Sequence, residues 1–172
     1  NQKNTGKPPT PDTIAHIDDI DAHAPQLSFG MTAFHLDAGY TPLFPFGHGL
    51  SYASFEYENL RLSTKELELG ASLTVSVELL NTSPIAAHEV VQLYVRDLVG
   101  NVTRPVKELK GFRRIWLEPE ERVMVEFELH TDDLAFFGRD MTLITEPGDF
   151  HVWVGSSSEA ALMSEFRIVA RD

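Results

Sequence analysis

The residues of this 172-residue chain that could do chemistry are its 26 carboxylates and seven histidines. Glycosidic hydrolysis needs two carboxylates held about 5–9 Å apart in a cleft. Glu78, Glu126 and Glu128 fall at outward positions of alternating apolar segments and read as a solvated face. Asp18, Asp19 and Asp21 in "IDDID" resemble a cation loop only in charge, because the glycine and distal glutamate of a calcium loop are missing. His16, His23, His35, His48, His88, His130 and His151 show no metal-ligand rhythm, so each reads as a surface or packing residue. There is no G-x-S-x-G elbow, no phosphate-binding glycine loop and no cysteine nucleophile. The sequence therefore nominates no catalytic, cofactor-binding or metal-binding residue. Trp116 and Trp153 are the candidates for a sugar-stacking platform. Both lie in strand-like segments with alternating apolar neighbours, so the expectation is burial in the core or in a contact between domains. Asn81-Thr82-Ser83 and Asn101-Val102-Thr103 are glycosylation sequons by pattern alone.

Composition narrows the classes further. Net charge is -12, and such a surface repels nucleic-acid backbones and anionic membranes. No run of 18 apolar residues is present to form a membrane-crossing helix. With no cysteine, there is no disulfide framework. The chain opens on "NQKNTGKPPT", with neither an initiator methionine nor a signal-peptide pattern, and reads as a fragment or processed chain. Its compartment stays open, with a periplasmic or secreted setting favoured over the cytoplasm.

The elements that must position any site change character near residue 50. Residues 1–50 are proline-rich at first, lack a sustained period, and read as an irregular arm. Beyond them, "SLTVSVELL", "RVMVEFEL", "DFHVWVG" and "SEFRIVA" alternate apolar and polar residues as half-buried strands do. "HEVVQLYVRD" is apolar on both faces and predicts a central strand covered on both sides; "FEYENLRL" and "ELKGFRRIWL" complete the set, with a weak strand near 141–144. Turn residues punctuate these segments. Pro147 and Gly148 suit the centre of a type II turn, and Thr131 is placed to cap one helical turn, with Asp132 and Asp133 at its positive end. About seven short strands without cysteine predict an all-β fold: an immunoglobulin-like, fibronectin type III-like sandwich at 51–172 behind the arm at 1–50.

Between arm and sandwich lies "PLFPFGHGLSY". Pro42 and Pro45 stiffen this path, while Gly47 and Gly49 permit tight turns. Phe44, Phe46 and Tyr52 offer large anchors, which makes the segment an interdomain latch and His48 a packing or hydrogen-bonding residue.

"PLFPFGHGLSYASFEY", "EVVQLYVRD", "TRPVKELKGFRRIWLEP" and "EPGDFHVWVG", in that order, resemble the C-terminal part of glycoside hydrolase family 3, which includes β-glucosidases and β-xylosidases. The opening "NQKNTGKPP" resembles the end of the family's middle domain. The resemblance implies a barrel, an α/β sandwich domain and a fibronectin type III-like domain in the whole enzyme. It also implies retaining hydrolysis of terminal β-linked sugars, with an aspartate nucleophile in the barrel and a glutamate acid/base in the second domain. Neither transfers to this chain, which has no Asp-Trp pair at all. Phe44 and His48 stand where the family often has tyrosine. "LEPEE" replaces a commoner Pro-Gly turn, so Pro119 and Glu120 should form a type I turn, which needs no positive φ.

The resulting expectation is a non-catalytic structural domain whose partners are the barrel and α/β sandwich domains of the same enzyme, with the β-glucoside or oligosaccharide substrate met through them. The alternatives are an independent carbohydrate-binding module and a dimerisation or partner-binding module.

Overall fold

A computed structural model describes residues 42–170, and residues 46 onward group as one compact unit. Residues 1–41 of the arm, with Asp18, Asp19, Asp21, His16, His23 and His35, lie outside the described residues.

The described chain is all-β. Its strands are β1 (Phe55–Leu62), β2 (Glu66–Glu68), β3 (Ser72–Asn81), β4 (Ala87–Asp97), β5 (Glu108–Leu117) and β6 (Arg122–His130), followed by β7 (Phe136–Phe137), β8 (Leu143–Ile144), β9 (Gly148–Gly155) and β10 (Met163–Val169). Sheet one has the order β1-β3-β6 and sheet two the order β2-β10-β9-β4-β5, while β7 and β8 form a small separate ribbon. Alternation decides which side chains meet between the sheets. Leu73, Val75, Val77 and Leu79 of β3 and Val125, Phe127 and Leu129 of β6 point inward against Val91, Leu93, Val95, Val152, Val154, Phe166 and Ile168. Truncating one of the fully buried leucines to alanine would cost about 2–5 kcal/mol. This is the expected fibronectin type III-like sandwich. The three-residue β2, which pairs parallel with β10, was beyond the reach of periodicity because only Leu67 in it is buried.

Asn81 closes one end of the core. It is completely buried, and its side-chain amide donates to the carbonyls of Ile85, Leu117 and Glu118. The adjacent backbone exchanges bonds with the β5–β6 turn: Asn81 N–H donates to Glu121 and Glu120 N–H donates to Asn81. As a glycosylation site this asparagine is therefore inaccessible in the folded chain.

Three local expectations need correction. The turn after β5 is closed by Glu121 N–H donating to Glu118 C=O, but Glu120 sits at φ 61, so it is not a type I turn. A proline followed by a left-handed residue is the type II pattern, and the hydrogen bonds to Asn81 hold Glu120 there. Gly148 is not in the left-handed region; it opens β9, opposite Ile168, so no type II turn centres on it. The single turn at Thr131–Leu134 is a 3-10 turn capped by His130, whose Nδ1 accepts from Asp132 N–H while Asp133 accepts from His130 N–H. Thr131 is buried instead, and its hydroxyl oxygen accepts from Gly70 N–H. The turn leads the chain out of sheet one into the β7–β8 ribbon, which precedes β9 of sheet two.

A left-handed non-glycine residue costs about 1–2 kcal/mol. Glu120→Gly should accordingly stabilise the chain by about 1 kcal/mol, part of the relief being offset by the greater freedom of glycine in the unfolded state. A denaturant titration of both proteins checks this.

Candidate functional site

The outer face of sheet two carries the most distinctive chemistry of the described chain. Side chains that alternate with the core residues emerge there: His88, Val90, Gln92 and Tyr94 from β4, and Phe112, Arg114 and Trp116 from β5. A residue on an outer face is normally solvated, yet Gln92 and Tyr94 are 5% and 1% exposed. The segment that starts at Phe46 covers them.

This cover is made by hydrogen bonds. The Gln92 amide donates to Gly47 C=O at 3.0 Å and to Ser156 C=O at 2.6 Å, while its oxygen accepts the Tyr94 hydroxyl at 2.5 Å. Phe46 C=O accepts Ser158 N–H at 2.8 Å. Buried polar groups need such partners, so the dyad fixes where the segment lies. Gly47 meets two demands at once. It adopts φ +79, and a Cβ placed on it would lie 2.0 Å from the Gln92 side-chain oxygen. Gly49, expected to serve the same purpose, has ordinary backbone and open space around its Cβ position.

A second anchor fixes the β9–β10 turn that receives these bonds. The Lys107 ammonium donates to Ser158 and Ala160 carbonyls at 2.8 and 3.1 Å and stands 4.5 Å from the Trp153 ring centre. Burial among these groups pulls its pKa down. Lys107 is thus a structural cation that ties the β4–β5 connection to the β9–β10 turn.

Between the segment and sheet two runs an open groove of about 710 Å³. Phe46, His48 and Leu50 form one wall, and Val90, Leu109 and Phe112 form the other. At its floor Tyr57 donates to a Glu89 carboxylate oxygen at 3.0 Å, linking the two sheets. Burial raises the pKa of Glu89, partly offset by this bond, and burial next to that carboxylate raises the pKa of Tyr57 strongly. Among the described residues that line the groove Glu89 is the one carboxylate, with no second one for acid–base work.

Large apolar groups rim the groove and face solvent: Phe46 is 60% exposed, Phe112 68%, and Tyr52 fully. Phe44 is exposed as well. These aromatic groups are thus not part of the sandwich core. Trp116 is not a core residue, the first of the two places expected for it: it points away from the core and is half exposed. His88 packs edge-on against its ring at 4.8 Å, and its indole N–H donates to Glu118 at 3.0 Å. Trp153 also points away from the core and is half-buried under Lys107.

The remaining sequence candidates do not converge. Glu78 meets Arg122 at 2.8 Å and Asn59 at 3.0 Å on the solvated outer face of sheet one. The Asn59 bond, then Arg122, hold its carboxyl below the usual range. Glu126 and Glu128 are exposed on β6. His130 is the 3-10 cap, and His151 contacts Glu165 at 3.2 Å. Asn101, of the other sequon, donates its side-chain amide to Glu146. Among the described residues no group of three or more acidic or histidine side chains is arranged to hold a metal ion.

Comparison with known proteins gives this geometry a context. Residues 89–158 match the Fibronectin type III-like domain family. A β-xylosidase of Formosa agariphila is 47% identical over 120 residues, spanning 70% of this chain and 17% of that protein. A periplasmic β-glucosidase of Salmonella typhimurium is 34% identical over 155 residues, spanning 90% of this chain and 20% of that protein. A solved β-glucosidase of Listeria innocua, in complex with isofagomine, superposes with a TM-score of 0.76 at 36% identity, covering 99% of this chain and 22% of that one. The chain thus spans about a fifth of the length of the relatives it matches.

The two groove glycines make opposite predictions. Gly47→Ala collides with Gln92 and takes on backbone strain, so it should lower stability by about 1–3 kcal/mol. Gly49→Ala should change it by less than about 0.5 kcal/mol. Paired denaturation curves decide between them.

Proposed function

We propose that this chain, which carries a fibronectin type III-like domain and resembles the C-terminal region of glycoside hydrolase family 3 enzymes, serves as a non-catalytic structural domain of such an enzyme. Residues 51–172 are the domain and residues 1–50 are the tail of the preceding α/β domain with its linker. The parent reaction is retaining hydrolysis of terminal β-D-glucosyl or related residues, performed by groups outside this chain. The domain's task is mechanical. It buries apolar surface of the barrel and α/β sandwich domains and so holds the geometry of the active site they carry.

One observation supports this reading above the others. The segment from Phe46 is fastened to sheet two by its backbone, while its large side chains, Phe46, Leu50 and Tyr52, face outward. A loop that only needed to cover the sheet would turn those groups inward, because each buries roughly 1.5–3 kcal/mol of apolar surface. Held outward on a rigid backbone, they suit a partner surface.

A second reading, an independent carbohydrate-binding module, draws on Phe112 and Trp116, which are both exposed on one face. It requires retention of the isolated chain on a polysaccharide matrix.

The purified 172-residue chain should show no turnover of an aryl β-glucoside, while a complete family 3 enzyme carrying this sequence turns it over. Hydrolysis by the chain itself, persisting when it is prepared from a glycosidase-deficient host, would contradict the proposed role.

A further inference from the structure

Phe112, Arg114 and Trp116 occupy alternate positions of β5, the edge strand of sheet two, so their side chains share the outer face. The strip they form is about 13 Å long. Phe112 also belongs to the groove wall, and Trp116 packs on His88, another groove residue, so strip and groove are one continuous face. All three side chains are exposed, and Trp116 is already oriented by His88 and Glu118. The other cations of this strand have partners: Lys110 pairs with Glu108 at 2.7 Å, and Arg113 lies over the Phe127 ring. Arg114 has none among the described residues, in a chain whose net charge is -12.

Anything that covers Phe112 and Trp116 must also cover the guanidinium between them. Burying an unpaired cation costs several kcal/mol, which a matched carboxylate removes. A two-fold second copy centred on the strip would set Arg114 against its own counterpart. A neutral polysaccharide would stack on the rings but supply no countercharge. We infer, on the basis of the structural role proposed above, that this strip docks a carboxylate-bearing surface of another domain of the same enzyme, with Arg114 as the residue that determines the match. The composition is that of an interface hot spot: two aromatic anchors flank an arginine, and Arg presents a planar fork that suits a carboxylate.

The test reverses the charge in two contexts. Arg114→Glu is made in the 172-residue chain and in the complete enzyme, beside Lys65→Glu, an exposed cation between β1 and β2. In the chain alone, Arg114→Glu should leave the melting midpoint within about 2 °C of the parent, because no described residue partners it. In the complete enzyme it should shorten the half-life of activity at elevated temperature by about tenfold, against little change for Lys65→Glu. Equal half-lives for the two variants would overturn the inference. So would retention of the chain on a β-glucan gel that Trp116→Ala abolishes, or a dimer in sedimentation that Arg114→Glu dissociates. None of these results bears on whether the isolated chain hydrolyses a glucoside, so the proposed function and this inference can fail separately.

Discussion

The bond from Gln92 to the carbonyl of Gly47 is the constraint on which the rest of this face depends. It takes a polar side chain on the outer face of a sheet, where water would ordinarily serve it, and gives it a backbone partner instead. Three consequences follow from that exchange. Tyr94 becomes buried and completes the dyad through its hydroxyl. Residue 47 must be glycine, because φ and contact distance both forbid a Cβ. The side chains around Gly47 are then directed along the groove rather than into the core, which leaves Phe46, His48 and Leu50 exposed.

The sandwich beneath this face is ordinary in its energetics. Its core is aliphatic, drawn from alternating positions of both sheets, and closed at one end by the fully buried Asn81. What is specific is how the connections are tied to one another. Lys107 links the β4–β5 connection to the β9–β10 turn, and that same turn holds Phe46 through Ser158. The groove is therefore bounded by three fastened segments. A docking surface benefits from such rigidity, since less conformational freedom is lost when a partner binds.

Much of this fold was legible in the residues because period-2 alternation reports burial directly, as it does along β3, β6, β9 and β10. β4 announced its central place by being apolar on both faces. The sequence could not say that its outer face would be covered by 46–47, because that contact depends on a hydrogen bond between residues 45 apart in the chain. Local turn chemistry misled where tertiary bonds prevailed. Glu120 takes a left-handed conformation because Asn81 grips the backbone around it, and His130 caps the 3-10 turn because Thr131 is committed to Gly70. Trp116 was expected in the core or in a contact between domains because its neighbours are apolar. Those neighbours, Ile115 and Leu117, do point inward, and strict alternation turns the tryptophan between them outward. Reading the same alternation one step further along β5 identifies Phe112 and Arg114 as outward residues too.

The central claim is that the face built from the 46–53 segment and β5 is a surface awaiting another domain. Hydrogen–deuterium exchange of the 172-residue chain, compared with a complete family 3 enzyme carrying the same sequence, tests it most directly. Peptides covering 46–53 and 109–116 should exchange markedly more slowly in the complete enzyme, while peptides of β3 and β6 in sheet one should exchange alike in both. Equal exchange at 46–53 and 109–116 in the two proteins would contradict it.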